Sequence, residues 1–239
     1  MIGIIDSGSG GQSVIEACKQ YFNEDYIYIF DDLNCPYGNK PKEVVRDIVK
    51  RNIEYLIRHY DLDFIILACN TASSLIYTYE LNYRIPILKT NPNLDCLNNG
   101  EKTLLFATKN TIENNKRVKF NLYNYDNLMS AYIKDFPKLI DNYLTFKNEE
   151  NKNKILNKLK STFCYKNRLK KRYRDIKYLS LGCTHFKHIE GFLSDIFPKD
   201  IEFVECEKET ALNALYLLRK NKQKNTVKII RTSEIYLSE

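Results

Sequence analysis

The 239-residue chain is 44% hydrophobic and 28% charged, with a formal net charge of +7, a balance that suits a globular protein able to bury a real core. Its longest apolar runs, such as "FIILAC", are too short to cross a bilayer. Seven cysteines without a CxxC pair indicate neither a disulfide framework nor a zinc cluster.

The N-terminal "MIGIIDSGSG" carries an acidic residue and glycines where a signal peptide has a basic start and an apolar stretch. The expected compartment is therefore the cytoplasm, with reduced thiols. Much of the basic excess lies in residues 147–177 and reads as a solvated face rather than a nucleic-acid surface.

In chain order, "IGIID" predicts a strand, "SGSGGQ" a glycine-rich turn and "SVIEACKQYF" a helix. "YIYIFDD" is a second strand leading into the loop "LNCPYGNK". Val45, Ile48, Val49, Ile53, Leu56 and Ile57 then recur at spacings of three and four, an amphipathic helix with Pro41 in its first turn. "DFIILAC" reads as a fully buried strand, followed by a helix over "ASSLIYTYEL". "IPILKT", "TLLFAT", "YLSLGC", "IEFVEC" and "VKIIRTS" are further strands, with helices over "HFKHIEGFLSDIF" and "KETALNALYLLRKN". Residues 112–176 read as helix and loop and carry no motif. Strands alternating with helices predict an α/β fold with mainly parallel sheets covered on both faces.

Ligands of open α/β sheets bind beyond the carboxyl ends of the strands. Four segments put polar groups there: Asp6-Ser7, Asp31 through Gly38, Cys69-Asn70-Thr71 and Cys183-Thr184-His185. "GSGG" matches neither common nucleotide-binding glycine pattern, and fits a tight turn whose N–H groups approach an anion such as a carboxylate. "IILACNT" and "LSLGCTH" echo one another, each ending an apolar strand on a small residue followed by Cys. The remaining cysteines (Cys18, Cys35, Cys96, Cys164 and Cys206) read as packing thiols, although Cys35 lies inside a candidate site loop. His185 lies two residues after Cys183, where a persisting strand would turn both side chains to one face.

A Cys–His hydrolase would use one thiol and leave its echo unexplained. Two thiols facing each other across a small pocket suit another chemistry, in which one removes a proton from carbon and the other returns one to the opposite face. A thiol of ordinary pKa about 8.5 can serve as base or acid near neutrality if its surroundings adjust it.

"IGIIDSGSGGQSV", "CPYGNK", "ACNTAS" and "LGCTHF", in this order, resemble the glutamate racemases of the cofactor-independent aspartate/glutamate racemase superfamily. The motifs anchor about residues 1–110 and 178–206. The resemblance implies two pseudosymmetric α/β domains, residues 1–95 plus 206–239 and residues 96–205, with the active site in the cleft between them. It implies Cys69 and Cys183 as the two acid/base residues, assisted by Asp6 and His185. It also implies that Ser7, Tyr37, Gly38, Asn70, Thr71 and Thr184 hold the substrate, together with Asp6 and His185. Thr108 and Thr111 look like the family's carboxylate-binding loop, with Ala107 replacing a glycine, and Asp31 aligns with an acidic residue.

No cofactor and no metal are implied, and the expected partners are glutamate and a second copy in a homodimer, without membrane or nucleic acid. The implied product is D-glutamate for peptidoglycan. The family's "VPL.EEG" appears as "FPKLIDN", which moves its acidic position to Ile140 or Asp141; "GCTHYP" appears as "GCTHFK" and "GVI.P" as "LKTNP". Two alternatives remain open: an aspartate or related amino-acid racemase of the same superfamily, or a non-catalytic regulatory protein that binds nucleic acid through the basic segment.

Overall fold

The computed structural model describes residues 1–77, 80–95, 97, 100–118, 127–218 and 226–236. Cys96, and the ends expected for the helices over "ASSLIYTYEL" (residues 78–79) and "KETALNALYLLRKN" (residues 219–221), lie wholly or partly outside the described residues.

Two parallel sheets dominate. The first is built from β1 (Ile2–Asp6), β2 (Tyr26–Phe30), β3 (Phe64–Leu67), β4 (Ile87–Lys89) and β11 (Val227–Arg231), in the order β11-β2-β1-β3-β4. The second contains β5 (Thr103–Ala107), β6 (Leu128–Ala131), β9 (Tyr178–Gly182) and β10 (Glu202–Val204), in the order β10-β9-β5-β6. Every strand pair in both sheets is parallel. A small antiparallel hairpin, β7 (Cys164–Tyr165) with β8 (Arg168–Leu169), stands apart.

The central strands are apolar throughout because helices cover both sheet faces, and the period of two divides their side chains. In the first sheet Ile5, Ile27, Ile29, Ile65 and Leu67 face α2 (Lys42–His59) and meet its Val45, Ile48, Val49, Ile53 and Leu56. Ile2, Ile4, Tyr26, Tyr28, Phe64 and Ile66 turn the other way, onto α1 (Gly11–Lys19) and α8 (Glu207–Leu217). Gly3 keeps α2 close: a Cβ there would lie 2.9 Å from Ile65 and 3.1 Å from Leu56.

In the second sheet Leu104, Phe106, Leu179 and Leu181 pack against α5 (Phe136–Phe146) and α6 (Glu149–Phe163). The Phe106 ring sits among Phe136, Phe163 and Phe186, with centroids 5.9, 5.2 and 4.2 Å away.

Three elements depart from the periodicity reading. The helix after β3, α3 (Asn70–Leu75), begins two residues earlier than expected and stops at Leu75, where Ile76 turns extended; side chains from elsewhere satisfy the carbonyls at this end, Arg46 Nε donating to Leu75 O at 2.9 Å and Lys89 Nζ to Ile76 O at 2.6 Å. The helix expected over 185–197 is a 3₁₀ turn, Thr184–Ile189, continuing into the short α7 (Glu190–Ser194). The middle of the chain, read as helix and loop, supplies the edge strand β6 and the β7–β8 hairpin as well as two helices. The remaining helices are α4 (Lys109–Val118) after β5 and α9 (Thr232–Tyr236) after β11.

Phe106 fills the centre of the second core, so Phe106→Ala is expected to destabilise the chain by about 3–5 kcal/mol, read from the shift of a urea-unfolding midpoint.

Candidate active site

The loops at the carboxyl ends of β1, β2, β3, β5 and β9 meet between the two sheets. Most side chains that the sequence singled out come together there, nearly all of them buried. The loop after β1 is the pivot. Asp6 Oδ1 accepts from the Gly8 backbone N–H at 3.0 Å and from the Ser7 hydroxyl at 3.5 Å. Its Oδ2 accepts from the Thr184 hydroxyl at 3.0 Å, a bond that crosses from one sheet to the other.

The glycines of this loop are explained by what presses on them. A Cβ on Gly8 would lie 2.4 Å from Asp141 Oδ2 and 2.5 Å from His185 Nε2, and one on Gly10 would lie 2.2 Å from Thr184 Oγ1. The anions that its backbone N–H groups approach are carboxylates of the chain itself: Gly8 N donates to Asp6 and Ser9 N to Asp141 Oδ1 at 3.1 Å.

Each candidate thiol has its own polar chain. Cys69, at the N-terminus of α3, lies 3.6 Å from Ser7 Oγ, so that hydroxyl stands between the thiol and Asp6. Burial pushes the Cys69 thiol up to about 12, with the Asp6 charge adding to the rise; near neutrality it is a proton donor. Cys183 follows β9, and its Sγ lies 3.8 Å from His185 Nδ1. The strand does not persist to make this contact: Cys183 is extended, but the 3₁₀ turn starts at Thr184 and brings His185 back onto the thiol.

His185 Nε2 lies 3.2 Å from Asp141 Oδ2. Burial works against the imidazolium, but Asp141 outweighs it and holds His185 well above the ordinary histidine range. Burial likewise opposes the Asp141 carboxylate, yet the His185 charge and the Ser9 donors bring it down to about 2. The pair is ionised at neutral pH. Its contribution to stability is in place above the ordinary carboxylate range and is lost as pH falls towards about 2; at the other end it is lost as pH rises through the raised His185 value.

The opposite wall is a triangle of buried hydroxyls. Thr71 Oγ1 lies 2.8 Å from Thr108 Oγ1 and 3.3 Å from Thr111 Oγ1, and the latter two are 2.9 Å apart. Thr71 comes from the first sheet's α3, whereas Thr108 and Thr111 come from the start of α4, where Thr108 Oγ1 accepts from Thr111 N. Gly38 admits Thr108: a Cβ there would lie 2.7 Å from its Cβ.

The buried Tyr37 phenol donates to Asp31 Oδ2 at 2.5 Å. Asp31 also accepts from Thr232 at 2.6 Å and from Asn34 N at 3.2 Å, which makes it the anchor of the loop after β2. Asn70 Nδ2 donates to Cys206 Sγ at 3.3 Å, and its buried Oδ1 has no hydrogen-bond partner among the described residues.

Sequence reasoning missed Ser9 and Cys206, and read Cys35 as a packing thiol that lies inside a candidate site loop. Cys206 ends the third Cys-terminated strand segment, "IEFVEC", and the strand-end rule applied to it would have found it. Cys35 donates to Asp141 Oδ2 at 3.4 Å. Of the two residues left open for the acidic position, Ile140 is fully buried in the second core and Asp141 reaches the cleft.

No protein-family model matches the chain. A glutamate racemase from Clostridium novyi is 32% identical over 248 residues, covering 97% of this chain and 90% of that protein. The chain belongs to the glutamate racemase family. A second racemase of that name, from Halothermothrix orenii, is 31% identical and covers 91% of this chain and 84% of its own length. The fold agrees: a glutamate racemase isoform from Bacillus anthracis superposes with a TM-score of 0.79 at 22% identity, covering 100% of this chain and 94% of that one. The Escherichia coli glutamate racemase, solved with L-glutamate and the activator UDP-MurNAc-ala, gives 0.76 at 20% identity, covering 95% and 88%. Like other racemases, members of the family are isomerases, and two parallel-stranded α/β sheets flanked by helices are common to these structures and this chain.

Burial raises the Asp6 carboxyl from 3.8 to about 6, partly offset by the His185 charge and the Thr184 and Gly8 bonds. A carboxyl raised on folding costs stability when ionised: nothing below pH 3.8, a growing amount up to about 6, and a constant amount above. That interval corresponds to about 3 kcal/mol. Asp6→Asn is therefore expected to be more stable than the parent at pH 8, by up to about 3 kcal/mol, and to lose that advantage at pH 4. Urea unfolding at the two pH values reads it, and a variant less stable than the parent at pH 8 contradicts the account.

Proposed function

We propose that this chain interconverts L- and D-glutamate by proton transfer at the α-carbon between Cys69 and Cys183, with D-glutamate for peptidoglycan as its physiological product. The observation that carries the reading is the paired arrangement of two buried thiols. Each ends a strand of a different sheet, and each has a separate polar partner, Ser7 with Asp6 for Cys69 and His185 with Asp141 for Cys183. The names of the curated relatives supply the substrate.

The α-proton of an amino acid is a very weak acid, so the site has to meet developing negative charge with fixed donors in a water-poor cleft. The Thr71, Thr108 and Thr111 hydroxyls suit a substrate carboxylate, and Asn70 Oδ1, without a hydrogen-bond partner among the described residues, suits its ammonium group. Cys69, held as a thiol, gives its proton to one face of the carbanion-like carbon while Cys183 takes one from the other. For the opposite enantiomer the roles exchange. Each turnover leaves one thiol with a proton gained and the other with a proton lost; exchange through Ser7 and Asp6 at Cys69, and with the His185 imidazolium at Cys183, resets them, while Asp141 stays ionised and holds His185. Ser7 and Thr184 belong to the cleft wall, Tyr37 and Gly38 to the loop after β2, and no step invokes a cofactor.

We assign residues 1–95 with 206–239 to one domain and 96–205 to the other. Support comes from the sheet memberships: β4 and β11 lie in the first sheet, β5 and β10 in the second. The reading places the protein in the cytoplasm. Among the described residues no helix is long and apolar enough to cross a membrane, and the described cysteines are free thiols. It also includes a homodimer; exposed Leu212, Leu215 and Tyr216 along α8 are compatible with a covered face, and sedimentation equilibrium tests it.

The central test is isotope exchange. Purified protein in deuterated water is expected to place deuterium at C2 of glutamate from either enantiomer, and to turn over aspartate far more slowly. Cys69→Ser and Cys183→Ser should each lose nearly all racemisation, and full activity in either variant refutes the two-thiol reading.

A further inference from the structure

The loop after β2 brings a third thiol to the cleft that the two-thiol chemistry does not use. Among the described residues, Cys35 Sγ, one carboxylate oxygen of Asp141 and one ring nitrogen of His185 lie within 4.8 Å of one another. We propose that Cys35, Asp141 and His185 form a binding site for zinc or a similar borderline divalent cation at the wall of the cleft.

The donor set is one thiolate, one carboxylate and one imidazole, each a ligand type that such ions take, and three protein ligands leave a fourth position open. Their usual bond lengths and a tetrahedral angle put neighbouring ligand atoms roughly 3.3–3.6 Å apart. The structure has Asp141 Oδ2 at 3.2 Å from His185 Nε2 and at 3.4 Å from Cys35 Sγ.

Two further observations point the same way. The ligands are held from behind, Asp141 Oδ1 by the Ser9 backbone and hydroxyl and His185 Nδ1 by Cys183, as outer-shell partners hold ligands in metal sites. Cys35 and Asp141 are only partly buried, so an ion has a way in.

Binding balances in charge. The ion displaces one proton from His185 Nε2 and one from Cys35 Sγ to solvent, so a dication enters as two protons leave. The imidazole then keeps its Nδ1 proton beside Cys183, but its Nε2, through which the ring exchanges protons with the surroundings, is held by the ion, so the Cys183 side can no longer be reset. Zinc is therefore a reversible inhibitor, a consequence that rests on the function proposed above, whereas binding itself does not.

Cobalt(II), added to the reduced full-length protein, reads thiolate ligation by its charge-transfer absorption. The band is expected in the parent, in Cys69→Ser and in Cys183→Ser, and in Cys35→Ser the affinity should fall at least about tenfold. A band unchanged in Cys35→Ser, a band lost in Cys183→Ser, or no band in the parent overturns the proposal. Mass-spectrometric mapping of alkylation in the parent gives a second readout that does not depend on any variant: zinc should protect Cys35, and unprotected Cys35 counts against the site. In the isotope-exchange assay zinc should slow the parent and be reversed by a chelator. Cobalt binding without inhibition refutes the assigned role of His185 while leaving the site standing.

Discussion

The cleft depends on one carboxylate that serves both sheets. Asp141 leaves the second core one position after Ile140, which is fully buried among Phe106, Phe136 and Leu181. The helix that fixes Ile140 therefore fixes how far Asp141 reaches. Its two oxygens are then divided: Oδ1 takes both donors of Ser9 from the loop after β1, and Oδ2 takes His185 and Cys35. An unpaired charge so placed would be costly to bury. Paired with the imidazolium and bonded by Ser9, it draws the glycine loop of one sheet against the histidine turn of the other.

The two thiols are placed alike and tuned differently. Both end a parallel strand, but Cys69 meets a neutral hydroxyl with a buried acid behind it, and Cys183 meets an imidazole held by an ionised acid. Burial works against both carboxylates: for Asp6 the His185 charge and the Thr184 and Gly8 bonds only partly offset it, whereas for Asp141 the adjacent imidazolium and the Ser9 donors outweigh it. Two strand-end thiols thus sit on two unlike polar chains.

Much of this was legible in the residues. The strand-end rule located Asp6, Cys69 and Cys183 from apolar runs that stop at polar side chains, and the echo between "IILACNT" and "LSLGCTH" marked them as partners. What was not legible has physical causes. Asp141 sits in a helix whose amphipathic pattern is identical whichever of two adjacent residues faces the cleft, so only packing of Ile140 decides it. Nor can sequence show that Asp31, six residues earlier, takes the Tyr37 phenol at 2.5 Å. β6 escaped notice because an edge strand of four residues, three of them only partly buried, carries little apolar signal.

The glycine-rich loop shows why local motif reading reached the right segment for an incomplete reason. Its N–H groups do approach carboxylates, but those carboxylates belong to the chain. The missing side chains matter as much as the N–H groups, because Cβ atoms at Gly8 and Gly10 would strike Asp141, His185 and Thr184. Closing two sheets on a dry cleft needs such bare backbone on at least one side, since every polar group brought in must find its partner at hydrogen-bond distance. The loop spends its conformational freedom there, and the side chains that carry the proposed chemistry all come from the elements it lets approach.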